Sequence, residues 1–500
     1  MTATVCADKP AGLPLWDRHP NRAALGRDFA AYVSRRCGQQ LAPLHHLPAA
    51  ASGAVVLAPV EGDGTPPAAR SVTGRWCALT PAGQQPAPAP LAPPAPHSAE
   101  TRAVWREMST DGGWTRWQAE TGLPIAPTGP AGDAPRTPPL RADQSLHLAE
   151  VSLTLADGTV VQHDSPAPVA FERLDLLDGD GGESVLRTWL AGLDRRQRLF
   201  GPAADHSPDR ALRLLHTEDP RVRCDLFGAL CWFYWFADQP PAARDLERAA
   251  SLSELAGASH WTVHWMRNRG QDPQARRRWS SGGPEEWEVE EHGLRYVLSQ
   301  DRGLSPGLFL DQRQNRRWVL ENAAGRRVLN LFAYTGGFGL CATRGGAVEV
   351  ANVDVGKRAL GWARQNFERN GLLGDGVEFR PVDARLFLEG CRKRGRTFDL
   401  IVCDPPSFGR SREGVWKIDR DLAGLVQAAV QVLAPGGDLL VSANYERWDQ
   451  RCLESAVRDA VRGAQPAGRD LALVALPPPD CDFELPGEPP VLKALRLSAA

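Results

Sequence analysis

The chain has 500 residues, material for roughly two to four domains, and a net charge of −2. With 58 basic against 60 acidic side chains, its average surface carries no polyanion-binding charge, so any nucleic-acid contact must be a local patch. The 10 cysteines are scattered, with no C-x-x-C pair and no Cys/His cluster at zinc spacing. That excludes a disulfide framework, gives no metal site, and fits thiols in a reducing compartment.

Residues 1–205 are the least legible. No charged-then-apolar leader opens them, and the densest apolar run of the chain, near Phe227 to Ala237, is too short to span a bilayer. A cytoplasmic protein without membrane contact is the expectation. The Pro/Ala-rich tracts Pro81–Pro96 and Ala126–Pro139 read as extended linkers. Asn21–Arg36 has helical periodicity, and Glu150–His163 reads as a hairpin about Asp157-Gly158. No fold is assigned to this region.

Residues 206–285 have another character. Asp225–Phe236 (DLFGALCWFYWF) is strand-like and aromatic. Pro240–Leu255 reads as a helix with prolines at its start, and His260–Gly270 contains a further strand. Six of the 16 tryptophans fall between Trp232 and Trp287. This is expected to be a small α/β unit, with RNA binding as one reading. The basic run Arg267–Trp279 (RNRGQDPQARRRW) is either a solvated linker or a contact to RNA backbone and bases.

From 286 to 500 strands and helices alternate. The strand ending at Phe332 is followed by a strand in Ala347–Asp354 and a helix in Lys357–Gly371. A strand and helix lie in Val377–Gly395, a strand in Phe398–Pro406, a helix in Asp419–Leu433 and a strand in Gly437–Asn444. This pattern predicts an α/β, Rossmann-like parallel sheet covered on both faces. Asp470–Pro477 and Pro490–Ser498 are candidates for an antiparallel edge.

The site candidates sit at the predicted strand ends. Arg327–Phe332 runs into Gly336, Gly337 and Gly339 and then a helix, a turn suited to the polar part of a nucleotide-like ligand. G-G-x-G is not the dinucleotide fingerprint G-x-G-x-x-G, and the P-loop Lys-Ser/Thr is missing; a bare structural turn is the competing reading. Asp354, eighteen positions after Gly336, can accept from ribose hydroxyls or simply close a turn. Asp383 can meet an adenine amino group and can equally cap the helix that follows.

Asp404 ends the fourth strand, with Pro405 and Pro406 stiffening the loop and Phe408 placed to stack on a planar base. A rigid turn is the plain alternative. Hydride transfer has no use for such a loop, whereas methyl transfer to a nucleobase does. Cys403 reads as buried strand packing.

From about Leu212 onward the chain resembles the bacterial 23S ribosomal RNA S-adenosylmethionine-dependent methyltransferases. It is most similar to the 7-methylguanine-forming half of the bifunctional large-subunit enzyme. The resemblance rests on Gly307–Arg313 (GLFLDQR), Asn330–Gly339 (NLFAYTGGFG), Val353–Asn366 (VDVGKRALGWARQN), Asp404–Phe408 (DPPSF), Asp419–Val426 and Leu433–Asn444 in one order. It implies S-adenosyl-L-methionine as cofactor and RNA, 23S ribosomal RNA or its large-subunit precursor, as partner. It implies cofactor contacts for Phe309, Asp311, Arg313, Tyr334, Thr335, Gly336, Gly337, Asp354, Asp383 and Asp404. Asp404, Pro405, Pro406 and Phe408 become the catalytic loop.

The chain departs from that family's pattern at Ser305-Pro306, at Gln312 where histidine is usual, at Gly409–Arg412, at Asp421-Leu422 and at Ser442-Ala443-Asn444. These changes bear on substrate identity. Cytosine carbon-5 methylation, a small-molecule or protein substrate, and a homologue that binds without turnover remain open alternatives. Carbon methylation needs a cysteine thiolate, and Ser407 and Ala443 stand where such relatives carry one. Residues 1–205 lack the Asn-Pro-Pro-Tyr loop of the bifunctional relative, so one active site is expected. Residues 1–140 are expected to be dispensable for chemistry, and a chain starting near Ser207 to keep its cofactor affinity.

Overall fold

The structure, a computed structural model, describes residues 210–266, 278–411, 414–464, 471–474, 476, 479–483 and 491–499 of the later part of the chain. Before these it describes residues 4–9, 29–37, 39–44, 52–59, 69–81, 105–111, 114–119, 123–124, 145–155, 157–168, 170 and 185–200. The Ala126–Pro139 tract, all but the first residue of the Pro81–Pro96 tract and residues 267–277 of the basic run lie outside the described residues.

The early segments pair into a nine-stranded sheet that the sequence reading left unassigned. Its strands are β1 (Val5–Lys9), β2 (Leu41–Pro43), β3 (Ser52–Pro59), β4 (Ala69–Pro81), β5 (Trp105–Asp111), β6 (Trp114–Ala119), β7 (Leu123–Pro124), β8 (Ser145–Leu155) and β9 (Val160–Asp164). The order β1-β3-β8-β4-β6-β5 carries helix α1 (Phe29–Cys37), whose Phe29, Ala30 and Val33 bury against Val55, Leu57 and Trp76. The hairpin about Asp157-Gly158 is present, and Gly158 takes φ 88°.

Helix α2 (Val185–Phe200) joins this core to the next. Leu199 belongs to the first core, whereas Leu186, Trp189, Leu190 and Leu193 bury into the second. The second core lies on a five-stranded sheet: β10 (Ala211–Leu215), β11 (Val222–Phe227), β12 (Leu230–Trp235), β13 (His260–Trp265) and β14 (Arg278–Ser280). The aromatic stretch expected as one strand is a hairpin, because Gly228 at φ 60° turns the chain between β11 and β12. Helix α3 (Ala243–Leu255) crosses over to bring β13 parallel to β12.

Because α2 supplies the lid of this sheet, a chain starting near Ser207 loses four large apolar anchors, each worth about 1.5–3 kcal/mol of burial. A chain starting near Ser207, expected from the sequence to keep its cofactor affinity, would have to fold this sheet without those anchors.

A third core runs without a break from the aromatic sheet into the last unit. Phe227, Leu230 and Trp232 pack with Val289, Leu294, Tyr296 and Leu298 of the hairpin β15 (Glu286–Glu291) and β16 (Leu294–Ser299), and with Val328, Leu340 and Val402 beyond. After helix α4 (Arg313–Asn322) come β17 (Arg327–Leu331), α5 (Gly337–Arg344), β18 (Glu349–Asp354), α6 (Lys357–Arg369), β19 (Val377–Pro381) and α7 (Ala384–Arg394). Then follow β20 (Phe398–Cys403), the hairpin β21 (Phe408–Ser411) and β22 (Gly414–Lys417), α8 (Ile418–Gln431), β23 (Leu433–Ala443), α9 (Gln450–Ala464), β24 (Leu471–Val474) and β25 (Lys493–Ala499).

The resulting seven-stranded sheet has the order β19-β18-β17-β20-β23-β25-β24. Its first five strands are parallel, and β25 is antiparallel to both neighbours. β17 is flanked by β18 on one side and β20 on the other, so the chain switches direction there. A crevice opens at such a point, outside the carboxyl ends of the strands.

Candidate active site

The turn after β17 is held in an uncommon conformation. Phe332, Tyr334 and Gly336 have φ of 56°, 48° and 78°. Two of these carry side chains, so the turn stores backbone strain that its surroundings must balance. At Gly336 a Cβ would stand 2.9 Å from the Ala363 Cβ of α6, so glycine is required by space as well as by φ. Gly339 is needed for packing: a Cβ there would lie 2.0 Å from the Asn352 Oδ1 on the sheet beneath. Gly337 opens α5.

Asp354 is the chief brace. Its Oδ2 accepts the Tyr334 N–H at 2.9 Å and its Oδ1 accepts the Gly356 N–H at 2.7 Å. Burial pushes its carboxyl above the usual range, against the pull of those two donors. Asn366 Nδ2 donates to the Thr335 carbonyl at 2.9 Å, and the Thr335 hydroxyl donates to the Gly307 carbonyl at 2.6 Å. The Thr335 side chain thus ties down the segment before Phe309 and is spent there.

The register of β18 with β19 sets Asp354 opposite Pro381, bringing Asp383 to the neighbouring strand end. Asp383 caps α7, accepting the Arg385 N–H at 2.8 Å, and pairs with the Arg385 guanidinium at 3.1 Å. Burial pushes this carboxyl up, but the Arg385 contacts outweigh it and hold it below the usual range. Around these acids stand exposed apolar side chains: Val355 beside Asp354, Leu386 in the first turn of α7, and Phe309, 48% exposed, whose ring centroid is 5.5 Å from that of Tyr334.

On the other side of the crevice lies Asp404, directly after β20. Its Oδ1 accepts from Gln312 Nε2 at 2.8 Å and from the Ser442 hydroxyl at 2.6 Å. Burial pushes its carboxyl up to about 6, helped by the negative Asp311 and opposed by these donors and by Arg316. Asp311 accepts from Asn444 Nδ2 at 3.0 Å and is itself raised by burial. Pro405 is buried, while Pro406 is exposed and its carbonyl accepts the Trp416 indole N–H at 2.7 Å. Phe408 begins the β21–β22 hairpin and is 51% exposed.

The strand ends therefore assemble Phe309, Asp311, Tyr334, Gly336, Gly337, Asp354, Asp383, Asp404, Pro405, Pro406 and Phe408. Arg313 is not among them. Its guanidinium is buried and turned away, donating to Asp480 at 3.0 Å, to Asp482 at 3.2 Å and to the Ala211 carbonyl at 2.7 Å. Arg313, for which the resemblance implies a cofactor contact, thus forms a clasp between α4, β10 and the turn at Cys481–Phe483. Cys403 is fully buried, and burial pushes its thiol far up, as packing requires. The sequence reading noted Gln312 and Ser442 only as departures; it missed Asn315, whose amide holds Gln312 at 2.6 Å.

The residues present fit an adenosyl sulfonium group. Apolar walls and a capping acid suit adenine, the Asp354 carboxylate suits a ribose diol, and the Asp404 carboxyl suits positive charge. Among the described residues no group of three His, Cys, Asp or Glu side chains is placed to hold a metal ion, and no helix is long and apolar enough to cross a membrane.

Residues 224–462 match the family model described as S-adenosylmethionine-dependent methyltransferase. Ribosomal RNA large subunit methyltransferase I of Aeromonas salmonicida is 40% identical over 188 residues, covering 38% of this chain and 47% of its own. Ribosomal RNA large subunit methyltransferase K of Neisseria meningitidis is 39% identical over 191 residues, covering 38% and 52%. The matched segment thus spans about half the length of these relatives. A solved structure of a protein from Streptococcus mutans, 23% identical and aligned over 63% of this chain and 80% of its own with a TM-score of 0.53, shares the fold.

Proposed function

We propose that this chain, whose residues 224–462 match the family model described as S-adenosylmethionine-dependent methyltransferase, methylates a base of large-subunit ribosomal RNA, its target a guanine ring nitrogen. The observation that carries this reading is Asp404 at the carboxyl end of β20, half-sheltered beside the rigid Pro405-Pro406 step and the exposed Phe408. Large-subunit ribosomal RNA is what the names of the relatives supply. On this reading the chain works in the cytoplasm, where that RNA is made.

S-adenosylmethionine, when bound, supplies an electrophilic methyl group. The protein's own work is alignment. The Tyr334–Gly337 turn and Asp354 would seat the adenosyl part, with Val355, Leu386 and Asp383 around its base. Phe408 stacks on the target nucleobase, and Pro405-Pro406 fixes the distance between that base and the strand end. Asp404 orients the base and balances positive charge as it develops on the attacked ring. A ring nitrogen with a free lone pair needs no general base.

The cytosine carbon-5 alternative is disfavoured by a specific observation. It needs a thiolate at the reacting base, and Cys403, the cysteine nearest Asp404 in sequence, is 0% exposed with its thiol pushed up by burial. The test is transfer of a labelled methyl group to ribosomal RNA from a strain lacking this protein, followed by mapping of the modified base. Label in a guanine of the large-subunit RNA is the expected result. Label in protein, or none in RNA, contradicts the reading.

A further inference from the structure

Gln312 sits where the resembled family usually has histidine, and its amide is fully engaged. Gln312 Oε1 accepts from Asn315 Nδ2 at 2.6 Å, which fixes the orientation of the amide. Its Nε2 therefore points the other way, donating to Asp404 Oδ1 at 2.8 Å and to the Ser442 hydroxyl at 3.1 Å. The Ser442 hydroxyl in turn donates a hydrogen bond to the same Asp404 Oδ1 at 2.6 Å. Gln312, Asn315 and Ser442 are all buried, so water does not substitute for these bonds. Asp404 Oδ2 has no hydrogen-bond partner among the described residues.

We propose that Gln312 and Ser442 are positioning residues: together they saturate Oδ1 of Asp404, lock the carboxyl plane, and leave Oδ2 as the one oxygen that addresses the substrate base. The proposal rests on the methyl-transfer reading above. Two donors on one oxygen also favour the charged form of the acid. Around Asp404 the other charged and titratable groups are Asp311 before α4, Arg316 within α4, which is paired with Glu291 of β15, and Cys403 of β20. Asp311 and burial favour the neutral acid, Arg316 and the two donors the carboxylate. Removing one donor from so balanced a group tips it toward the neutral form.

The test compares the full-length protein with Gln312→Met, Ser442→Ala and Ser442→Thr. Titration of the Asp404 carboxyl by carbon-13 NMR, with its signal assigned by loss in Asp404→Asn, reads the effect without turnover. Gln312→Met and Ser442→Ala should each raise the titration midpoint by about one pH unit. Ser442→Thr, which keeps the hydroxyl, should leave it in place. In the methyl-transfer assay the acid limb of the kcat/KM profile should move up with it, while affinity for S-adenosylhomocysteine stays within about twofold. Folded Gln312→Met and Ser442→Ala proteins with unmoved midpoints would overturn the proposal. A shift in midpoint with no methyl transfer to RNA by the unsubstituted protein would instead overturn the reading on which it rests.

Discussion

The amide of Tyr334 donates to the carboxylate of Asp354 across two strand ends, at 2.9 Å. The same carboxylate also accepts the Gly356 N–H. One acid thus shapes the glycine turn and, on the reading proposed above, also meets the ribose, so the two jobs should fail together. Asp354→Ala leaves two backbone donors without their acceptor, each worth about 1–3 kcal/mol where burial is complete. Calorimetry with S-adenosylhomocysteine should show at least tenfold weaker binding. Asp354→Asn keeps one accepting oxygen and should fall between the two. Saturable binding of NAD in place of the homocysteine nucleoside would contradict the assignment.

Arg313 separates stability from binding. Its guanidinium meets Asp480 and Asp482 in a buried clasp, and Asp482 also accepts the Arg213 backbone N–H at 2.9 Å. Arg313→Met strands a buried carboxylate, a loss that typically costs about 3–5 kcal/mol. The midpoint of urea unfolding should drop strongly. Protein that remains folded should bind S-adenosylhomocysteine within a few-fold of the parent, which a direct cofactor contact would not allow.

Truncation should divide at helix α2. A chain starting at residue 180 keeps Leu186, Trp189, Leu190 and Leu193 on the aromatic sheet; one starting at Ser207 removes them. Circular dichroism melts should show a cooperative transition for the longer form and a lower, broader one for the shorter. Equal melting of the two would show that α2 contributes nothing to the sheet.

Asp404 ties function to pH-dependent stability. Burial raises its folded-state pKa from the ordinary 3.8 to about 6. A raised carboxyl holds its proton more tightly when folded, so its penalty on stability is full above about pH 6 and fades as pH falls toward 4. Asp404→Asn removes that penalty, on the order of 2–3 kcal/mol. Its stability gain over the parent should be largest at pH 8 and shrink steadily by pH 4.5. A gain independent of pH would mean that the charge of Asp404 is not the cause.

The parallel sheet was legible because strands buried on both faces read as near-continuous apolar runs, such as Leu400–Cys403, which Asp404 follows at once. The antiparallel edge was legible from the short apolar stretch Leu471–Val474 of β24 and from Leu495 and Leu497 of β25, which alternate with polar residues. The nine-stranded sheet was not, because its strands pair across long separations: β1 meets β3, and β3 meets β8 some ninety residues on, with proline-rich tracts between. The clasp of Arg313 was not legible because its partner Asp482 lies 169 positions away, in a turn with no motif of its own. Gln312 was visible only as a departure from the resembled family's histidine, since its meaning is a contact with Ser442, 130 positions on.

The most direct measurement is methyl transfer to large-subunit ribosomal RNA by the parent, Asp404→Ala and Cys403→Ser, with the modified base mapped and S-adenosylhomocysteine affinity measured alongside. Loss of one orienting contact in a sheltered site costs about 2–4 kcal/mol, so Asp404→Ala should lower turnover roughly 30- to 1000-fold while affinity changes little. Cys403→Ser should keep most activity, and the label should reside on a guanine ring nitrogen. Label on cytosine carbon-5, with a covalent adduct to fluorinated cytosine that vanishes in Cys403→Ser, would contradict the account.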